Sequence, residues 1–117
     1  MKTHKDLEVW KKAIDLTTEV YDLTKIFPRE ELYGLAAQIR RASVSVPANI
    51  AEGAARNSKK EFIKFLYISL GSLAELETEL IIAKQIGYSL DDEIFNKIDS
   101  IRKMLLGLIN FLKNKGN

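Results

Sequence analysis

Histidine and cysteine, the side chains that most often move protons or hold metals at neutral pH, are nearly absent from this chain. The single histidine, His4, lies in the N-terminal segment. There is no cysteine, which rules out thiolate ligands and disulfides and gives no sign of an oxidising compartment. Di-iron helical bundles need inward-facing glutamates paired with Glu-x-x-His motifs, and no such motif occurs. Neither a Gly-rich phosphate loop, a Walker lysine motif nor a G-x-S-x-G elbow is present. The serines have no histidine nearby in sequence to activate them. Glu75 and Glu79, four residues apart with Glu77 between them, could share a hard cation. No third ligand type accompanies them, so a solvated acidic face is the plainer reading. We therefore expect no catalytic residue, no metal and no cofactor; an unrecognised hydrolase built around Glu52 is the weakest alternative.

Two polar groupings point to binding rather than catalysis. Arg41, Ser45, Asn49, Glu52 and Arg56 recur at spacings of four, four, three and four, which places them on one stripe of a helix. Glu52 precedes Arg56 by four, the better order for a helical ion pair. Arginine, asparagine and serine interleaved with alanine suggest a half-buried hydrogen-bonding seam between subunits. An ordinary exposed face and a phosphate-binding groove are the competing readings. Just downstream, Arg56, Lys59, Lys60 and Lys64 gather at the start of a helix, where backbone amides favour anions; a solvated helix corner has the same look.

The elements that carry these residues follow from apolar spacing and punctuation. Four helices are expected, over about residues 7–26, 30–55, 59–86 and 90–114, in one domain spanning 1–117. The first has two apolar rows, Leu7–Trp10–Ile14–Thr17–Tyr21 and Val9–Ala13–Leu16–Val20–Leu23–Phe27, and is closed by Pro28. The second opens after Arg29, with Glu30 and Glu31 suited to a first turn, and has its own row at Leu35, Ile39, Val46 and Ile50. Ser58 and Glu61 form a capping-box pattern before a clean four–three repeat at Phe62, Leu66, Ser69, Leu73, Leu76, Leu80 and Ala83, stopped by Gly87. A weaker cap at Ser89–Asp92 precedes Ile94, Ile98, Ile101, Leu105, Leu108 and Leu112. Short connections favour antiparallel neighbours, hence an all-α, up-down-up-down four-helix bundle.

The second helix contains ASVSVPANIAEGAAR, Ala42–Arg56. Pro47 cannot donate its nitrogen and its ring crowds the Ser43 carbonyl, so a kink is expected there. Water or a nearby hydroxyl such as Ser43 or Ser45 would satisfy the freed carbonyl. Small residues on both sides, Gly53 included, would let another helix approach and offset the roughly 3 kcal/mol that a mid-helix proline costs.

The apolar area exceeds what one core needs. The first helix has its double row, and the start of the third is apolar nearly all round (Phe62, Ile63, Phe65, Leu66, Tyr67, Ile68, Leu70). Such an excess marks an interface between subunits, and we expect a homo-oligomer. The opening MKTHKDLEVWKKA lacks the apolar core of a signal peptide, and the most apolar stretch, Phe62–Ala74, is too short to span a bilayer, so a cytoplasmic location with no membrane partner is expected. Net charge is only +2, from 18 basic and 16 acidic residues, but it is unevenly spread. Residues 30–60 hold five basic and three acidic side chains, whereas residues 61–88 hold two and four.

These stretches together resemble a known family. DLEVWKKA, FPREELYGLAAQIRRASVSVPANIAEGAARNSKKEF, FLYISLGSLAELETEL and QIGYSL are similar to the four-helix bundle proteins encoded in intervening sequences of bacterial 23S ribosomal RNA genes. The resemblance covers nearly the whole chain and is most specific at SVPANIAEG. It implies an antiparallel bundle assembled into a ring-like homo-oligomer, a pentamer. Some relatives resemble accessory proteins of diversity-generating retroelements, which bind nucleic acid and a reverse transcriptase. The resemblance supplies no catalytic residue. Its characteristic positions fall on Arg41, Ser45, Pro47, Asn49, Glu52, Gly53 and Arg56, with Gly71 and Ser72 in the third helix. Five copies of a +2 subunit would present +10 and repeat each basic patch, so weak phosphate contacts would add. The expected function is non-enzymatic association with RNA or DNA. Arg40, Arg41, Arg56, Lys59, Lys60 and Lys64 are the candidate contacts. A scaffold ring that docks a partner enzyme without touching nucleic acid is the alternative.

Overall fold

The computed structural model describes residues 2–115. Four helices make up the fold: α1 (Glu8–Thr24), α2 (Leu35–Ala55), α3 (Lys59–Ile86) and α4 (Glu93–Asn114), with no strand among the described residues. Short 3-10 turns at His4–Asp6 and Arg29–Glu31 precede α1 and α2. Each helix lies beside two others, in the closed order α1–α2–α3–α4–α1, and no diagonal pair of backbones comes close among the described residues. Residues facing each other run in opposite numerical order. Thr17 meets Ser43 and Thr24 meets Arg40; Val46 meets Ser69 and Ser45 meets Ser72. On the other side of α3, Tyr67 meets Lys113 and Lys84 meets Asp92. The resulting body measures 49 × 22 × 19 Å, the long axis slightly exceeding the ~42 Å expected for a helix of α3's length.

The apolar rows become the core as the spacing predicts. Val9, Ala13, Leu16 and Val20 are buried from α1, and Leu66, Leu73, Leu76, Leu80 and Ala83 from α3. In α4 the inward position is taken by Ile109 rather than Leu108, which is only partly buried. The companion row of α1 is split: Leu7 and Trp10 pack against the core's edge and Thr17 is half-buried against α2, whereas Ile14 and Tyr21 are exposed, as are Tyr67 and Ile68 near the start of α3. Part of the apolar excess seen in the sequence, at Ile14, Tyr21, Tyr67 and Ile68, therefore lies on the surface.

Three helix ends differ from expectation, through local hydrogen bonds at α1, a long-range one at α2, and both a local bond and core packing at α4. α1 stops at Thr24, whose hydroxyl donates to the Val20 carbonyl at 2.8 Å while its carbonyl accepts from the Phe27 amide. α2 begins at Leu35, not near 30. Glu31 Oε1 accepts from the Leu35 amide at 3.2 Å, and Glu31 Oε2 accepts from the Tyr88 hydroxyl at 2.8 Å. α4 begins at Glu93 after Leu90 has turned into the core, with Asp91 accepting from the Glu93 amide. The bounds of α3 match the expected ones: Ser58 Oγ accepts from the Glu61 amide at 3.1 Å, and Gly87 closes the helix at φ 115°.

α2 runs through Pro47 as one helix. The Ser43 carbonyl, deprived of an amide by the proline, instead accepts from the Thr17 hydroxyl of α1 at 3.1 Å. Neither expected local donor serves it: Ser43 Oγ donates to the Arg40 carbonyl, and Ser45 Oγ is engaged with Ser72. From the opposite side, Ser69 Oγ of α3 donates to the Val46 carbonyl at 2.7 Å. Close approach at Gly53 is plain, since a Cβ there would lie 2.7 Å from Phe65 Cβ and 3.1 Å from the Phe62 ring.

Candidate nucleic-acid interface

The polar stripe on α2 divides into three parts. At its centre, Ser45 and Ser72 share a 2.8 Å hydrogen bond between α2 and α3, and Asn49 Nδ2 donates to Ser45 Oγ at 2.9 Å and to its carbonyl at 2.8 Å. This part is a seam within the chain, tying α2 to α3. At the C-terminal end, Arg56 grips Glu52 through Nε and one terminal nitrogen, at 3.1 and 2.7 Å, and reaches Glu61 at 3.9 Å. At the N-terminal end, Arg41 stands with Gln38 and Ser45 in a shallow groove opposite Glu75 and Glu79. Burial, then the neighbouring Glu75, push the Glu79 carboxyl above the usual glutamate range, while Arg41 pulls it back. Glu79 Oε1 is buried without a hydrogen-bond partner. No group of three or more His, Cys, Asp or Glu residues is arranged for a metal among the described residues.

The six candidate nucleic-acid contacts do not form one surface. Arg56, Lys59, Lys60 and Lys64 sit together at the α2–α3 corner. Arg40 and Arg41 lie fifteen or so residues up α2, roughly 22 Å away at the helical rise. Arg40 is also committed elsewhere. It donates to Thr24 Oγ1 at 2.8 Å and lies 4.8 Å from the centre of the Tyr21 ring.

The corner gains other members instead. Lys59 Nζ donates to the Lys115 carbonyl at 2.8 Å, which brings the end of α4, with Lys113 and Lys115, against the start of α3. The N-terminal turn packs on α1 and α2, adding Lys2 and Lys5, with Lys11 and Lys12 on the first turns of α1. Around this end stand ten cations (Lys2, Lys5, Lys11, Lys12, Arg56, Lys59, Lys60, Lys64, Lys113, Lys115) against four carboxylates (Asp6, Glu8, Glu52, Glu61). The opposite end, built from residues 19–41 and 75–97, reverses the balance. Six cations (Lys25, Arg29, Arg40, Arg41, Lys84, Lys97) face ten carboxylates (Glu19, Asp22, Glu30, Glu31, Glu75, Glu77, Glu79, Asp91, Asp92, Glu93). Charge is thus separated along the bundle axis, +6 at one end and −4 at the other. Contiguous windows of sequence hide this, because antiparallel helices put the start of one beside the end of the next.

The basic end also carries aromatic rings that the spacing of charges alone does not reveal. Arg56 lies 4.9 Å and Lys64 5.8 Å from the Phe65 ring centre, Lys113 5.1 Å from that of Tyr67, and Lys115 5.6 Å from that of Phe111. The Lys113 ammonium also donates to the Tyr67 hydroxyl at 2.8 Å.

Beyond the bundle's middle, the exposed side of α2 and α3 is small and apolar. Val44 and Ala48 flank Ser45, while Ile68 and Gly71 flank Ser72, and all four are exposed. A Cβ at Gly71 would meet nothing within 4 Å. No helix of the described residues is long and apolar enough to cross a membrane.

No curated protein matches the chain. A Bacteroides thetaiotaomicron protein of unknown function from the S23 ribosomal protein family has a similar solved structure, with a TM-score of 0.79 and 24% identity, covering 87% of this chain and 95% of that one. At that identity the likeness is one of fold. The profile of the 23S rRNA-intervening sequence proteins matches residues 5–107, which include α1, α2, α3 and most of α4. The chain belongs to the 23S rRNA-intervening sequence protein family.

Proposed function

We propose that this protein is a non-enzymatic, cytoplasmic homo-oligomer that associates with RNA or DNA through the basic end of its bundle. The observation that carries the reading is the gathering of ten cations from the N-terminal segment, the α2–α3 corner and the end of α4. Phosphate backbones are recognised through such cation density, and each neutralised phosphate releases counterions. The contacts assigned by this reading are Lys59, Lys60 and Lys64, joined by Lys113 and Lys115, with Arg56 behind them, its charge offset by Glu52 and Glu61. Arg40 and Arg41, pinned or opposed by carboxylates at the acidic end, are not among them.

Self-association is supported by the exposed Val44, Ala48, Ile68 and Gly71 face, whose glycine leaves room for a close neighbour. A ring of copies would repeat the basic end around one rim and multiply weak contacts. The same face favours a second reading, in which the ring docks a protein partner and no nucleic acid. Gel shifts with RNA and DNA probes at low and high salt separate the two. Binding that weakens steeply with salt, and with Lys59→Gln and Lys60→Gln, supports the first. Probes left unbound at low salt overturn it, and light scattering that reports a monomer overturns the oligomer.

A further inference from the structure

Resting on the nucleic-acid reading above, we infer that the basic end takes single strands, with bases stacking on Tyr67, Phe111 and Phe65. Each of these rings is paired with cations at the basic end. Phe111 is 59% exposed and Tyr67 45%, while Phe65 is half-buried. Exposed aromatic carbon forgoes burial worth about 25 cal/mol per Å², so Tyr67 and Phe111 hold much of their ring area where it adds little to the fold. A duplex has little use for them, because its base faces are already stacked inside and it presents phosphates and groove edges. A single strand presents both phosphates and base faces, and sequence-tolerant binders of single strands combine cations with aromatic platforms.

The placement suits such a ligand. Phe65 lies where α2 meets α3, Tyr67 where α3 meets α4, and Phe111 on α4 itself. Phe65 and Tyr67, two residues apart on α3, face different sides of that helix, and Phe111 adds a ring on α4, so a strand that wraps the basic end can reach them in turn. The ammonium groups of Lys113 and Lys115 ride on flexible stems. Each can swing from its ring to a phosphate as a base takes the vacated face.

Fluorescence anisotropy of the full chain with a short oligothymidylate and with a duplex DNA of the same length tests this, using Tyr67→Leu and Phe111→Leu. Both changes fall on exposed side chains and keep an apolar residue, so folding is preserved, and circular dichroism checks it. We expect the single strand to bind more tightly than the duplex. Each variant should weaken single-strand binding about five- to a hundredfold, the range for losing one base stack, and leave duplex binding unchanged. Equal affinity for both probes, with no effect of either variant, overturns the stacking inference and leaves the phosphate reading standing. Failure of both probes to bind overturns both.

Discussion

Replacing Thr17 with valine removes one hydroxyl of α1 and so tests how α2 tolerates its proline. In the folded chain that hydroxyl is shared between the Ala13 carbonyl at 2.9 Å and the Ser43 carbonyl at 3.1 Å. Ala13 sits inside α1, where its carbonyl also receives a helical amide. The carbonyl of Ser43, a fully buried residue, has Pro47 where its amide donor would be. Thr17→Val should therefore leave a buried acceptor unpaired, at a cost of about 1–3 kcal/mol. Pro47→Ala returns an amide to that position, and in its background Thr17→Val should cost only a few tenths. The coupling in a double-mutant cycle should then be about 1–2 kcal/mol, beyond the ~0.5 kcal/mol scatter of independent sites. Urea unfolding at fixed protein concentration reads it, because a slope of about 1–3 kcal/mol/M makes this a midpoint change of about 0.3–2 M. Thr17→Ser, which keeps the donor, should stay close to the parent. An equal cost of Thr17→Val with and without the proline would show that the hydroxyl does not stand in for the missing amide.

Gly53→Ala should destabilise by about 1–3 kcal/mol through the clash with Phe65, despite a helix-propensity gain of about 1 kcal/mol. Gly71→Ala, facing open space, should raise subunit stability by about 0.5–1 kcal/mol while weakening self-association. Thermal melts of equal sign and size for the two would refute the contrast. The raised pKa of Glu79 means that the folded state holds its proton more tightly than the unfolded one. Stability should fall as pH rises from the ordinary glutamate pKa through the raised one. Glu79→Gln should remove that slope and be more stable than the parent near neutrality, with little difference in acid; a constant difference across pH would exclude the linkage. In salt titrations of probe binding, Lys59→Gln should lower the log–log slope by about one, whereas Arg40→Gln, whose parent side chain is bonded to Thr24, should leave it unchanged.

What can be read from the sequence divides along the line between local and long-range causes. The bounds of α3 are legible because Ser58 and Gly87 act within a turn of the helix they delimit. Its buried positions are legible because one repeat holds over the whole length. The start of α2 is not, since the side chain that caps Leu35 belongs to Glu31, which is held by Tyr88 from beyond the end of α3. The polar stripe on α2 is visible as a pattern, but its meaning depends on residues of another helix. Ser72 turns its middle into an internal seam, and Glu79 faces Arg41 at its head. The donor for the Ser43 carbonyl likewise comes from α1, far in sequence from the proline that frees it.

Antiparallel topology does most to disguise the charge distribution. A net charge of +2 describes a molecule that a polyanion would meet with indifference. The bundle is 49 Å long, whereas electrostatic screening acts over about 8–10 Å at physiological to moderate salt. A phosphate backbone arriving at the end that holds Lys59, Lys60 and Lys115 therefore does not sense the carboxylates around Asp91–Glu93. It meets a local charge of +6, a density that the whole-chain value conceals. Two of the four carboxylates at the basic end, Glu52 and Glu61, are drawn to Arg56 and cancel its charge, while the neighbouring Lys60 and Lys64 stay exposed at the rim. Axial charge separation, set by which helix ends meet, is the property on which nucleic-acid association by this fold would depend.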